Sequence, residues 1–330
     1  MSRRLLLLVA VMAIAVVAVP LAAARPAGTQ LSLVAYSTPR DAYASLIPMF
    51  QKTPDGNGVS FTQSYGASGD QTRAIIAGLN ADVVELSLAP DMDQLVQAGI
   101  VSPTWKQQSY RGIVTDSVVV FVVRPGNPKH IKTWNDLLGP GVQVVTPNPF
   151  TSGGARWNVM AAYGAESDKG ADRAAGLAYL NQLFKNVPVQ DDSARKSLQT
   201  FVGGKGDAMI AYENDAIFAQ QNHQPIDYTI PASTILIENP VAVTSTSKHP
   251  QQAKAFVDFL YTQQAQEIFA RNGYRPVVAG VADGQFPTPA GLFTIQDLGG
   301  WTDVAKTFFD PTTGLMVDVE KSIGVTVQAK

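Results

Sequence analysis

From residue 31 onward, short runs rich in Val, Ile, Leu and Phe alternate with segments of helical spacing. Strand-like stretches at 31–36, 59–64 and 83–88 are interleaved with helix-like stretches at 41–50, 71–79 and 91–98. A second set has strands at 117–123, 142–146, 207–212 and 241–246. Its helices lie at 155–163, 173–184, 213–221, 250–261, 263–271 and 301–309. Such alternation predicts an α/β fold with a parallel sheet covered on both faces. The loop signals Arg124-Pro125-Gly126-Asn127-Pro128 and Pro147-Asn148-Pro149 punctuate the second set. At 330 residues the chain can hold about two domains of ordinary size. No Ser/Gly/Pro-rich linker separates the two sets, so two α/β lobes are expected to be joined by more than one crossing of the chain.

Composition narrows the function. With 45% hydrophobic and 16% charged residues, wholesale disorder is excluded. The 25 basic and 27 acidic residues give a net charge of -2, which argues against a nucleic-acid partner. Cysteine is absent, so disulfides, thiolate nucleophiles, cysteine zinc sites and a lipoprotein-type anchor are excluded together. The three histidines, His130, His223 and His249, lie in loop-like surroundings without metal-ligand spacing. No metal or cofactor is therefore expected.

At the amino terminus, Arg3 and Arg4 precede an apolar run at 5–19 and the small-residue stretch Ala22-Ala23-Ala24. This pattern reads as a secretory signal peptide over residues 1–24. The run is short for a membrane span, which needs about 20 apolar residues. Cleavage after Ala24 removes Arg3 and Arg4 and no acid, leaving 23 basic and 27 acidic residues. Cleaved or retained as an anchor, the segment places the folded part in the periplasm or otherwise outside the cytoplasm.

Three loops share one plan, each following a predicted strand and opening a predicted helix. They are Ser64-Tyr65-Gly66-Ala67-Ser68-Gly69, Thr151-Ser152-Gly153-Gly154 and Asp191-Asp192-Ser193-Ala194. Helix N-termini offer unpaired N–H groups and a partial positive charge, so they suit anions. Glycine permits close approach to the backbone, and a serine hydroxyl adds a donor. Taken singly, Ser68, Ser152 and Ser193 also read as plain N-caps. No loop carries a Walker lysine followed by Ser or Thr, and no G-x-G-x-x-G follows the first strand, so nucleotide sites are not expected.

An ordered series of motifs resembles the sulfate-binding protein family of bacterial ABC importers. It comprises Tyr36-Ser37-Thr38-Pro39-Arg40, Gln63-Ser64-Tyr65-Gly66-Ala67-Ser68-Gly69 and Ala81-Asp82-Val83-Val84. It continues with 122–129, Thr146-Pro147-Asn148-Pro149, Ile210-Ala211-Tyr212-Glu213-Asn214-Asp215-Ala216 and Tyr274-Arg275-Pro276. The most specific stretch is Thr151-Ser152-Gly153-Gly154-Ala155-Arg156-Trp157-Asn158. The resemblance implies a type II-like periplasmic-binding-protein architecture, with a ligand cleft and crossing hinge strands. Lobe I is expected at 31–116 plus 242–330, and lobe II at 117–241. A monomer would capture sulfate and deliver it to a membrane permease with a cytoplasmic ATPase.

The family holds its anion without a countercharge. Carried over by motif, the resemblance implies main-chain N–H donors at Ser37, Ser68, Gly153, Gly154 and Ala194, a hydroxyl donor at Ser152, and a contact from Tyr212. Two positions depart from the family pattern. Ser37 stands where the family has aspartate, a change that a main-chain contact survives. Tyr212 stands where the family has tryptophan, so a phenol takes the place of an indole N–H. Asp70 occupies a position where lysine is common; it favours its helix N-terminus but would oppose an anion if it faced the cleft.

A donor-only site suits an anion without a proton. Hydrogenphosphate would leave its own proton facing donors, a mismatch that can discriminate by roughly 10⁴ or more. Thiosulfate, molybdate and tungstate also lack that proton and are alternatives. Arg40, Arg156 and Arg195 follow the anion loops and are expected to lock them through acidic partners. The tryptophans are expected to pack the core, and Glu213 to accept hydrogen bonds at a hinge or loop. A remote alternative is a secreted serine hydrolase. Gly66-Ala67-Ser68-Gly69 is not a G-x-S-x-G elbow, however, and no histidine stands in a partner context, so no catalytic residue is assigned.

Overall fold

The computed structural model describes residues 28–325, and the leader expected at 1–24 lies outside them. The first βα units are β1 (Gln30–Tyr36), α1 (Arg40–Phe50), β2 (Ser60–Gly66), α2 (Ser68–Ile76), β3 (Val83–Glu85) and α3 (Ala89–Gln97). Then follow β4 (Ile113–Val123), β5 (Val144–Val145), α4 (Gly153–Glu166), α5 (Arg173–Lys185) and α6 (Ala194–Val202). Next come β6 (Ala208–Tyr212), α7 (Glu213–Gln221), β7 (Asp227–Thr229), β8 (Ser233–Val243), α8 (Pro250–Leu260) and α9 (Gln263–Arg271). The C-terminal part holds β9 (Arg275–Pro276), β10 (Gly291–Phe293), α10 (Trp301–Phe309) and α11 (Leu315–Ser322).

The main strand order is β2-β1-β3-β8-β4-β6-β5. β1 pairs in parallel with β2 and β3, as the alternation predicts. The sheet is nevertheless mixed, because β8 runs antiparallel to β3 and β4, and β4 antiparallel to β6. These long strands, β4 and β8, carry the chain between lobes. One end of β8 pairs with β3 in the first lobe, and the far end of β4 pairs with β6 in the second.

Alternation along β4 sends residues to opposite faces. Val118, Val120 and Val122 pack with Leu198 and Phe201 of α6, whereas Val119, Phe121 and Val123 join the core under α4 and α5. In the first lobe, Leu31, Leu33 and Ala35 face α1, α8 and α9, while Val34 faces α2 and α3. On α6 the buried residues Ala194, Ser197, Leu198 and Phe201 fall at helical spacing, which fixes its docked stripe.

The C-terminal segment departs from the expected boundaries. Phe293, Ile295, Trp301, Phe308, Met316 and Val319 belong to the same core as Trp157, Tyr179 and Leu183, so this part of 242–330 reaches onto the second lobe, with α11 against α5, while α10 also touches α3 of the first lobe. Trp301 meets Trp157 edge-on with centroids 4.6 Å apart.

Candidate functional site

The end of β1, the N-termini of α2, α4 and α6, and the end of β6 converge between the lobes on a small cavity. Its wall includes all seven residues singled out in the sequence: Ser37, Ser68, Ser152, Gly153, Gly154, Ala194 and Tyr212. Tyr36, Thr38, Ala67 and Ser87 complete it, and none of these side chains carries a charge.

Local structure fixes where the donors point. Ser68, Gly153 and Ala194 are the first residues of α2, α4 and α6, so their N–H groups are among those a helix leaves unpaired. Among the described residues, the N–H groups of Ser37, Ser68, Gly153, Gly154 and Ala194 have no protein acceptor. Ser152 is a true N-cap: its Oγ accepts from the Ala155 N–H at 3.3 Å, which leaves its own proton available to the cavity. Ser193 likewise caps α6 through the Lys196 N–H.

Ser68 is not a cap. Its hydroxyl donates to Asp91 Oδ2 at 2.6 Å and accepts from the Ser87 N–H at 3.0 Å, so it can offer the cavity only its main-chain donor. Tyr212 Oη and Ser87 Oγ lie 2.6 Å apart. Burial pushes the Tyr212 phenol well above its usual pKa, so it stays protonated. Among the described residues, the buried Tyr36 hydroxyl has no hydrogen-bond partner.

Packing demands glycine at Gly153 and leaves room for a Cβ at Gly154. A Cβ on Gly153 would stand 2.1 Å from Leu88 of the other lobe. A Cβ on Gly154 would meet Ser152 Oγ, Tyr212 and Ala194 at 3.4–3.6 Å, a tolerable contact that fills the cavity itself.

The arginines stand off from the cavity and tie the lobes together. Arg156 on α4 reaches Asp91 on α3 at 3.4 Å, and Arg195 on α6 reaches Asp41 on α1 at 3.1 Å. Arg195 also donates to the Thr38 carbonyl at 3.0 Å. Arg275 of β9 forks onto Glu213 of α7 at 2.7 and 3.1 Å. Arg40 instead lies over the Tyr65 ring at 5.1 Å. The Gly69 N–H bonds the Thr151 carbonyl directly across the cleft. Charges gather in an adjoining, wider pocket that shares Ser37 and Ala67 with the cavity wall, where Arg40, Asp41, Asp70, Asp192, Arg195 and Lys196 stand. Asp70 is held there by Arg73, away from the cavity wall.

A family profile described as bacterial extracellular solute-binding protein matches residues 31–275. The chain belongs to this family. The sulfate-binding protein of Synechococcus elongatus is 45% identical over 292 residues, covering 85% of this chain and 83% of the relative. The solved structure of the sulfate-binding protein SubI from Mycobacterium tuberculosis H37Rv superposes with a TM-score of 0.84 at 45% identity, covering 86% of this chain and all of that one. A thiosulfate-binding protein of Pseudomonas aeruginosa is 34% identical, covering 88% of this chain and 92% of the relative. All three of these relatives are binding proteins, and the two-lobed α/β architecture agrees with them.

Sequence reasoning missed Ser87. It sits in Leu86-Ser87-Leu88, which reads as plain buried strand. The usable signal was its place at a strand end just before a helix with Pro90 in its first turn, the same plan as the other three loops.

Proposed function

We propose that this protein is an extracytoplasmic binding component that captures one sulfate between its lobes and delivers it to the membrane permease of an ABC importer. It acts as a monomer and as a carrier, not as an enzyme. The observation that carries this reading is the buried, uncharged cavity onto which five unpartnered main-chain N–H groups and the Ser152 hydroxyl converge. Three helix N-termini add partial positive charge without a titrating group. The Synechococcus and Mycobacterium sulfate-binding relatives support the choice of anion.

Thiosulfate is the second reading, supported by the relative from Pseudomonas. Titration calorimetry with sulfate, thiosulfate, molybdate and hydrogenphosphate tests both. Sulfate is expected to bind most tightly with one site per chain, and hydrogenphosphate to bind weakly or not at all. Thiosulfate tighter than sulfate would support the second reading, and phosphate as the tightest ligand would overturn the donor-only site.

A further inference from the structure

The hydroxyls of Ser87 and Tyr212 lie 2.6 Å apart, both side chains are buried, and both residues line the anion cavity. They come from opposite lobes: Ser87 follows β3, and Tyr212 ends β6. In such a pair one O–H is shared between the oxygens and the other stays free. If Tyr212 donates to Ser87, the Ser87 proton is free; if Ser87 donates, the Tyr212 proton is free. Either arrangement yields one donor, and donation into a hydroxyl strengthens the bond that this hydroxyl makes onward.

Ser87 is held firmly enough for this role. Its N–H donates to Ser68 Oγ at 3.0 Å, and its carbonyl accepts from Trp157 Nε1 at 2.8 Å and Asn239 Nδ2 at 3.0 Å. All three bonds use its main chain or leave its Oγ out, so the hydroxyl has Tyr212 as its protein partner.

We propose that Ser87 is a positioning residue of the anion site: paired with Tyr212 across the cleft, it makes the two hydroxyls act as one proton donor to the bound anion and links that donor to lobe closure. This rests on the sulfate reading above. Because the bond joins the lobes, it forms on closure and contributes to the bound state. Its main-chain bonds survive replacement by alanine, so Ser87→Ala removes the hydroxyl alone.

The test is a set of sulfate titrations on wild type, Ser87→Ala, Tyr212→Phe, the double variant, Tyr212→Trp and Tyr212→Trp/Ser87→Ala, with thermal unfolding of each without sulfate. Wild type that binds none of the anions tried overturns the functional reading and this proposal together. Given wild-type binding, Ser87→Ala is expected to weaken sulfate about tenfold while leaving the sulfate-free melting temperature unchanged. The double variant should lose less than the product of the two single losses, because both remove the same link. In the Tyr212→Trp background, where an indole N–H supplies the donor alone, Ser87→Ala should cost less than threefold. Wild-type affinity in Ser87→Ala, multiplicative losses, or an equal loss in the Trp background would overturn the proposal while leaving the functional reading intact. Should Ser87→Ala fail to fold, Tyr212→Phe reads the pair from the other lobe, and a loss below threefold there overturns it as well.

Discussion

A few side chains and two glycines set what this cavity can hold. Ser152 accepts its helix-capping bond and still has a proton to give, so Ser152→Ala removes a donor from a buried charged ligand. The expected loss is about 1.5–3 kcal/mol, or roughly 10- to 150-fold in Kd, measured by sulfate titration. A loss below threefold would mean that the hydroxyl does not reach the anion. Gly154→Ala tests space where Ser152→Ala tests hydrogen bonding. Its Cβ meets neighbours at 3.4–3.6 Å, so the fold should survive. Binding should fall by at least a hundredfold, because the methyl stands where the anion would sit. Normal affinity in a folded Gly154→Ala would place the anion elsewhere. The loops of Ser152 and Ser193 were legible because capping chemistry and anion chemistry use the same residues at the same helix position, whereas Ser68 opens α2 as its first residue and caps nothing. Ser87 was not legible, because only its juxtaposition with Tyr212 gives it meaning, and the two lie 125 residues apart.

At the level of elements, the alternation of patterns was sufficient for the first βα units, where β1 and β3 are largely buried, the edge strand β2 is partly exposed, and the helices carry clear apolar stripes. It failed at β8. Pro240 and the polar pair Glu238-Asn239 interrupt the apolar run, and only 241–246 reads as strand. Pro240 is tolerated because it faces Ile113 where the β4–β8 register shifts, so no ladder N–H is needed. The placement of α10 and α11 was also hidden, since an amphipathic helix specifies a buried stripe and not which lobe receives it. Between elements, the Arg275–Glu213 pair joins β9 to α7 with little exposure, 12% and 1%. Removing one partner of a buried pair costs about 3–5 kcal/mol, because the other charge is left uncompensated. Arg275→Met should therefore destabilise by that order in urea unfolding, and Arg275→Met/Glu213→Leu should recover most of it. A single-variant loss under about 1 kcal/mol would show that water replaces the arginine.

Across the whole molecule, proton linkage and anion binding separate cleanly. Burial raises Glu85 to about 8, Asp116 to about 7, Glu320 to about 7 and Asp215 to about 6. Each folded-state value exceeds the ordinary carboxyl value near 4, so the folded chain binds more protons than the unfolded one between about pH 4 and 8. Their stabilising contribution is complete below pH 4 and is lost as the pH rises through each folded value. Unfolding titrations should show stability falling from pH 5 to pH 8.5, and Glu85→Gln should flatten the upper part of that slope. Rising stability over the range would contradict these assignments. None of these four carboxyls lines the cavity, and no group in its wall titrates between pH 6 and 8. The most direct test of an uncharged, donor-only cleft is therefore sulfate affinity as a function of pH at constant ionic strength. Kd is expected to change by less than about threefold between pH 6 and 8, with one sulfate per chain throughout. A tenfold or larger change, or proton uptake accompanying binding, would show that a titrating group holds the anion.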